Sequence, residues 1–161
     1  MKNKALFLDR DGVINHDPGD YTYSLKEFVV LPGVIDALEL AVSKGYLLII
    51  ITNQGGIAKG LYSDAVVREI HEYLGHLCRA RNFAITAIYY SPHHPDFGNS
   101  LTRKPCSLMI ERALARYHID PKRSLMVGDK MRDLEAAEKA GVPGILIPTN
   151  GSLLDVVNRL D

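Results

Sequence analysis

Apolar residues gather in five short runs: Ala5–Asp9, Tyr46–Thr52, Ile85–Tyr90, Leu125–Asp129 and Gly144–Pro148. Each is nearly continuous rather than alternating, the pattern of strands covered on both faces of a parallel sheet. Between the runs the period changes. Val34, Leu38 and Val42 recur within Gly33–Lys44, and Gly45 stops that segment. Ser63 is an N-cap for a helix reaching about Arg81. Cys106–Tyr117 carries Met109, Ile110, Ala113 and Leu114 on one face, Arg132–Ala140 ends at Gly141 with Pro143 beyond, and residues 152–160 read as a last short helix. This alternation predicts an α/β protein: a Rossmann-like three-layer sandwich around a central, mostly parallel sheet. With no repeat or linker, residues 1–161 read as one domain.

The polar residues that end these runs are the candidates for chemistry. Ligands of such sheets bind beyond the carboxyl ends of the strands. Asp9, Thr52 with Asn53, and Asp129 end the first, second and fourth runs. One aspartate at a strand end is ordinarily a turn former, but Asp9, Asp11, Asp129 and Asp133 would meet at one edge. Two carboxylates about 5 Å apart repel by roughly 3 kcal/mol at an effective dielectric of about 20. Such a gathering calls for a cation, and a hard one such as Mg²⁺ takes carboxylates, a backbone carbonyl and water. Around them stand groups suited to phosphate: the Thr52 hydroxyl, Gly55 and Gly56 for close backbone approach, Arg103 and Lys104, and Pro105 near a helix start.

Composition narrows the classes. Of 161 residues, 47% are apolar and 24% charged, enough for a proper core. Nineteen basic and nineteen acidic side chains cancel, which disfavours nucleic acid and anionic membrane as partners. Cys78 and Cys106 are too few for a disulfide framework, and no signal or spanning segment is evident, so a reduced, cytoplasmic setting and a monomer are expected.

"FLDRDGVIN", "TNQGGIAKG", "RKP" and "VGDKMRDLEAAEKAG" resemble, in order, the four signature regions of the haloacid dehalogenase-like phosphatases. "DRDGVIN", "PGV", "GIAKG" and "PHHP" before "RKP" are similar to the branch that contains the heptose bisphosphate 7-phosphatases and the histidinol-phosphate phosphatases. The resemblance implies a capless fold, since residues 13–51 leave no room for a lid. It implies Mg²⁺-dependent hydrolysis of a phosphorylated sugar through an aspartyl phosphate. Asp9 would be the nucleophile and Asp11 the acid and base, with a raised proton affinity from crowding carboxylates. Thr52 and Lys104 would hold phosphoryl oxygens. Asp9, the Asp11 carbonyl and Asp129 would bind the metal, supported by Asp133 and Lys130. Asn53, Gln54, Gly55, Arg103, Asp17 and Asp20 would contact the substrate. Histidinol phosphate or another small phosphomonoester is the alternative substrate, and a non-catalytic phosphate-binding module the remoter one. Zinc-bearing relatives have Cys-x-His and Cys-x-Cys where this chain has Ser91, His93, Ser100 and Thr102. Hydroxyls are poor zinc ligands, so no structural zinc is expected, with His93, His94 and Cys106 the only improvised alternative.

Overall fold

A computed structural model describes residues 1–161. Its strands are β1 (Lys4–Leu8), β2 (Tyr46–Asn53), β3 (Ala87–Ser91), β4 (Leu125–Gly128) and β5 (Gly144–Leu146). They form one sheet in the order β3-β2-β1-β4-β5, with every pair parallel. The helices are α1 (Val34–Ser43), α2 (Asp64–Arg79), α3 (Leu108–Arg116), α4 (Met131–Lys139) and α5 (Leu153–Asn158).

The continuous apolar runs are explained by two cores, one on each face. Leu6, Leu8, Leu48 and Ile50 point to the side packed by Val34, Leu38 and Ala41 of α1, Ile70 and Leu74 of α2, and Leu153 and Val157 of α5. Ala5, Phe7, Ile49, Ile51 and Met126 point to the other, against Met109, Ile110 and Ala113 of α3 and Ala136 and Ala137 of α4. Each fully buried leucine or isoleucine contributes about 1.5–3 kcal/mol of transfer free energy, so the three central strands are the rigid part of the sheet.

The local signals hold at most helix ends. The Ser63 hydroxyl accepts from Val66 N at 3.3 Å, and Gly141 follows α4 with φ 76°. Two expectations need correction. β5 is exposed throughout, because it is the outer edge strand and neither core reaches across it. Pro105 does not open a helix, since α3 starts only at Leu108. No helix is long and apolar enough to cross a membrane.

Candidate active site

The register aligns Leu8 with Ile50 on one side and with Val127 on the other, so β1, β2 and β4 run out together. The first residue past β1 is Asp9, whose backbone N–H donates to the Val127 carbonyl at 3.1 Å. Its Oδ1 accepts from Arg10 N and from Lys104 Nζ, both at 2.9 Å, and Oδ2 has no donor. Lys104 Nζ also donates to the Ile51 carbonyl at 2.7 Å and meets Asp133 Oδ1 at 2.6 Å. Three acceptors around one ammonium pin it completely. Burial pushes the Asp9 carboxyl up, Lys104 opposes that, and the nearby Asp133 charge adds to it. Burial alone would lower Lys104, but Asp9 and Asp133 turn the balance and hold its proton more tightly than usual.

Asp133 lies in the first turn of α4, where its Oδ2 accepts from Lys130 N at 3.1 Å. It is therefore fixed by the helix end and aimed at Lys104. Asp129 Oδ2 accepts from the Thr149 hydroxyl at 2.8 Å and meets Lys130 Nζ at 3.2 Å. Asp129 Oδ1 is buried and has no partner. Oxygens of Asp9, Asp129 and Asp133 all lie within 4.8 Å of one another, the one such group of metal-capable side chains in the protein. An orphaned buried carboxylate oxygen facing two more carboxylates fits a hard divalent cation, because desolvated negative charge needs a positive neighbour. Gly12 lets the chain pass over this cluster: its φ is +85°, and a Cβ there would lie 2.3 Å from Asp129 Oδ2.

Asp11 differs from expectation. Its Oδ1 accepts from Arg10 Nη2 and Asn15 Nδ2, both at 2.9 Å, and its Oδ2 accepts from Gln54 Nε2 at 3.0 Å. Burial would raise its carboxyl, but the Arg10 guanidinium and these donors outweigh burial and hold it below the ordinary carboxylate range. The neighbours of Asp11 are donors, and the crowding carboxylates sit around Asp9 instead.

Arg10 is itself 1% exposed. Its Nη1 lies 3.2 Å from Nε2 of His71, a half-way residue of α2. Burial, then the Arg10 charge, push His71 down to about 3. The ring is neutral at physiological pH, so Nε2 accepts from Arg10. This predicts acid lability with a definite sign. Below pH 6.5 the unfolded histidine takes up a proton that the folded one refuses until about pH 3. The His71 contribution is complete above pH 6.5 and is lost as pH falls, at about 1 kcal/mol per pH unit. Urea titrations at pH 7 and 4.5 will show a larger acid loss for the parent than for His71→Gln. Equal losses would mean that the ring is not held neutral.

The expected substrate residues divide. Asn53 exchanges two hydrogen bonds with the Lys104 backbone, both 3.0 Å, and Gln54 spends its amide on Asp11, Thr52 and the Tyr62 hydroxyl. Gln54 is thus spent on its neighbours, whereas Asn53 ties down Lys104 and also borders the cavity that Arg103 lines. Thr52 is fully buried, with its hydroxyl accepting from Gln54 at 2.9 Å. Asp17 caps its own loop through Gly19 N and pairs through its backbone with Asn150. Packing by itself demands glycine at position 56: a Cβ there would meet the Tyr62 ring at 2.2 Å. Asp20, Tyr21, Asn53, Gly55, His94, Arg103 and Arg132 line a polar cavity of about 310 Å³. Arg103 is held by donating to the His93 carbonyl at 2.9 Å. Burial and then the Arg132 charge lower its proton affinity, the mark of two guanidinium groups sharing one hollow. At the end of β3, Tyr90 bonds Asp64 and Tyr89 packs on the α3 core.

Ser91, Thr102 and Ser100 join in a chain of hydroxyls, at 3.0 and 2.8 Å, that ties the strand end to the segment just before Arg103. Arg10, His71, Tyr62, Thr149 and Arg132 escaped the sequence reading. Thr149 alone carried a signal, as a polar residue just past an apolar run.

A HAD-hydrolase-like family model matches residues 101–158. A D-glycero-beta-D-manno-heptose-1,7-bisphosphate 7-phosphatase from Haemophilus ducreyi is 39% identical over 96% of this chain and 87% of its own. The alpha-anomer enzyme of Burkholderia mallei is also 39% identical, over 91% and 80%. The structure of a D,D-heptose 1,7-bisphosphate phosphatase from B. bronchiseptica, complexed with magnesium and phosphate, superposes with a TM-score of 0.89 at 31% identity, covering 98% of this chain and 97% of that one.

Proposed function

The chain belongs to the D-glycero-D-manno-heptose 1,7-bisphosphate 7-phosphatase family of haloacid dehalogenase-like hydrolases, and on that premise we propose that it removes the 7-phosphate of this sugar bisphosphate. The observation that carries the reading is the Asp9, Asp129 and Asp133 cluster, closed on one side by Lys104, at the carboxyl end of the sheet. A phosphate-binding module would not need a donor-free nucleophilic oxygen and a second gripped carboxylate beside it.

Asp9 Oδ2 attacks phosphorus while the bond from phosphorus to the sugar oxygen breaks. Asp11 gives a proton to that oxygen. In the free protein Asp11 is held as a carboxylate, so the proton comes with the substrate: a monoester, with its second ionisation near pH 6, binds partly as the protonated form. The incoming phosphoryl charge raises the proton affinity of Asp11 by repulsion. Water then loses a proton to Asp11 and attacks phosphorus, the bond to Asp9 breaks, and inorganic phosphate leaves. Lys104 and Thr52 hold the transferring oxygens. Asp9, the Asp11 carbonyl and Asp129 would hold Mg²⁺, with Asp133 and Lys130 behind them. Bound there, the ion would offset the carboxylate charge and orient the phosphoryl group.

Two arginines and only one carboxylate, Asp20, at the neighbouring cavity suit the second phosphate of a bisphosphate, the more so because a guanidinium matches an oxyanion in a fork. The hydroxyl chain through Thr102 supports a zinc-free loop, and zero net charge supports a small-molecule substrate over nucleic acid; a cytoplasmic monomer is the setting proposed.

A substrate panel tests the reading. With Mg²⁺, kcat/KM for D-glycero-D-manno-heptose 1,7-bisphosphate will exceed that for histidinol phosphate and hexose monophosphates by about 10²-fold, and EDTA will remove the activity with every substrate. Arg103→Met will raise KM for the bisphosphate more than for the monophosphates. A heptose bisphosphate that ranks below ordinary hexose phosphates would end the assignment.

A further inference from the structure

Most buried polar side chains near Asp9 have a place in the chemistry above. His71 has none: it lies on α2, contacts no reacting atom, and is 9% exposed. Its ring meets Tyr90 edge-on at 5.4 Å between centroids, and Tyr90 is bonded in turn to Asp64 at the start of α2. The ring is therefore held from behind while Nε2 faces Arg10 Nη1 at 3.2 Å.

Arg10 depends on that contact. Its side chain makes hydrogen bonds to two residues only, Asp11 through Nη2 and His71 through Nη1, and its buried Nε has no partner. The guanidinium otherwise lies over the Phe28 ring, 5.7 Å from the centroid, which sets its depth but not its rotation. His71 thus decides how the planar fork is turned, and Nη2 of that fork, the one donor that reaches both Asp11 oxygens, sets their direction together with Asn15 and Gln54.

We propose that His71 is a positioning residue for proton transfer: through Arg10 it holds the Asp11 carboxylate in line with the leaving oxygen and with the attacking water. The neutral ring suits the task, because only an unprotonated Nε2 accepts from a guanidinium. Removing the acceptor leaves Nη1 buried and unpaired, so Arg10 turns towards another partner and Asp11, still held by Asn15 and Gln54, loses the donor that spans both its oxygens.

The inference rests on the assignment of Asp11 as acid and base, and the test separates the two. Leaving groups differ in their need for a proton: a sugar hydroxyl needs one, whereas p-nitrophenolate leaves without. The ratio of kcat/KM for heptose 1,7-bisphosphate to that for p-nitrophenyl phosphate reads this need directly. His71→Leu will lower the ratio about tenfold, a part of the 10²–10⁴-fold that a positioned acid supplies. His71→Gln, whose Oε1 reaches the place of Nε2, will restore it, and His71→Asn, which is too short, will not. Thermal melting checks that each variant is folded. If His71→Leu does not fold, the contrast between the glutamine and asparagine variants carries the same reading. Asp11→Asn is the control and must lower the ratio further. A ratio unchanged in His71→Leu, or equal ratios in the glutamine and asparagine variants, with Asp11→Asn still low, overturns the role of His71 alone. An unchanged ratio in Asp11→Asn overturns the assignment of Asp11 and the inference with it.

Discussion

Asp9→Asn abolishes turnover, by at least about 10⁴-fold, as removal of a covalent nucleophile does, and it does so in a folded protein. The amide has the shape of the carboxylate, and its oxygen still accepts from Arg10 N and Lys104 Nζ as Oδ1 does now. What disappears is the donor-free anionic oxygen. The metal-free variant melts at or above the parent temperature, because burial and Asp133 already disfavour charge on Asp9 and an amide carries none. Phosphate release measures the first effect, and acid-quenched reactions with radiolabelled substrate show whether phosphate stays on the protein. A variant working within tenfold of the parent would remove Asp9 from the nucleophile's role.

Lys104→Met has the second large effect, and it is of a different kind. The ammonium touches Asp9 Oδ1 at 2.9 Å, Asp133 Oδ1 at 2.6 Å and the Ile51 carbonyl at 2.7 Å. Without it two buried carboxylates face each other, and breaking a buried pair from one side costs about 3–5 kcal/mol. Turnover falls by about 10²–10³-fold, as on losing a preorganised donor to developing negative charge. The destabilisation depends on pH with a fixed sign. At pH 8 both carboxylates ask for a counter-charge. As pH falls, a proton on Asp9, whose affinity is already raised, replaces the lost ammonium and the deficit against the parent shrinks. Urea titrations in EDTA at pH 8 and 5.5 compare the two, and a deficit of the same size at both would contradict the carboxylate network.

These expectations rest partly on features that were legible without coordinates. Ala5, Leu6, Phe7 and Leu8 could be read as a strand buried on both faces because no polar residue interrupts them, and Asp9 as its functional end because one does. The same logic placed Thr52 and Asp129. It failed for Arg10, since nothing in the linear order says that an arginine between two aspartates turns inward. Its burial depends on a histidine 61 positions away. It failed for the proton affinity of Asp11 for a like reason: Asn15 is near in sequence, but Gln54 arrives only when β2 lies beside β1. Glycine next to glycine suggests a phosphate loop, but it could not show that Gly56 is also demanded by packing, since Tyr62 takes the space a side chain would need. Arg132, one residue before Asp133, carries no signal in the linear order, because only the fold brings it to the cavity that Arg103 lines.

The hydroxyl chain from Ser91 through Thr102 to Ser100 gives the segment ahead of Arg103 an unusual independence. Alcohol groups neither oxidise under peroxide stress nor surrender to a chelator. An enzyme stripped of magnesium would therefore keep this segment's shape, and magnesium restored after such treatment would meet a recognition surface already in place.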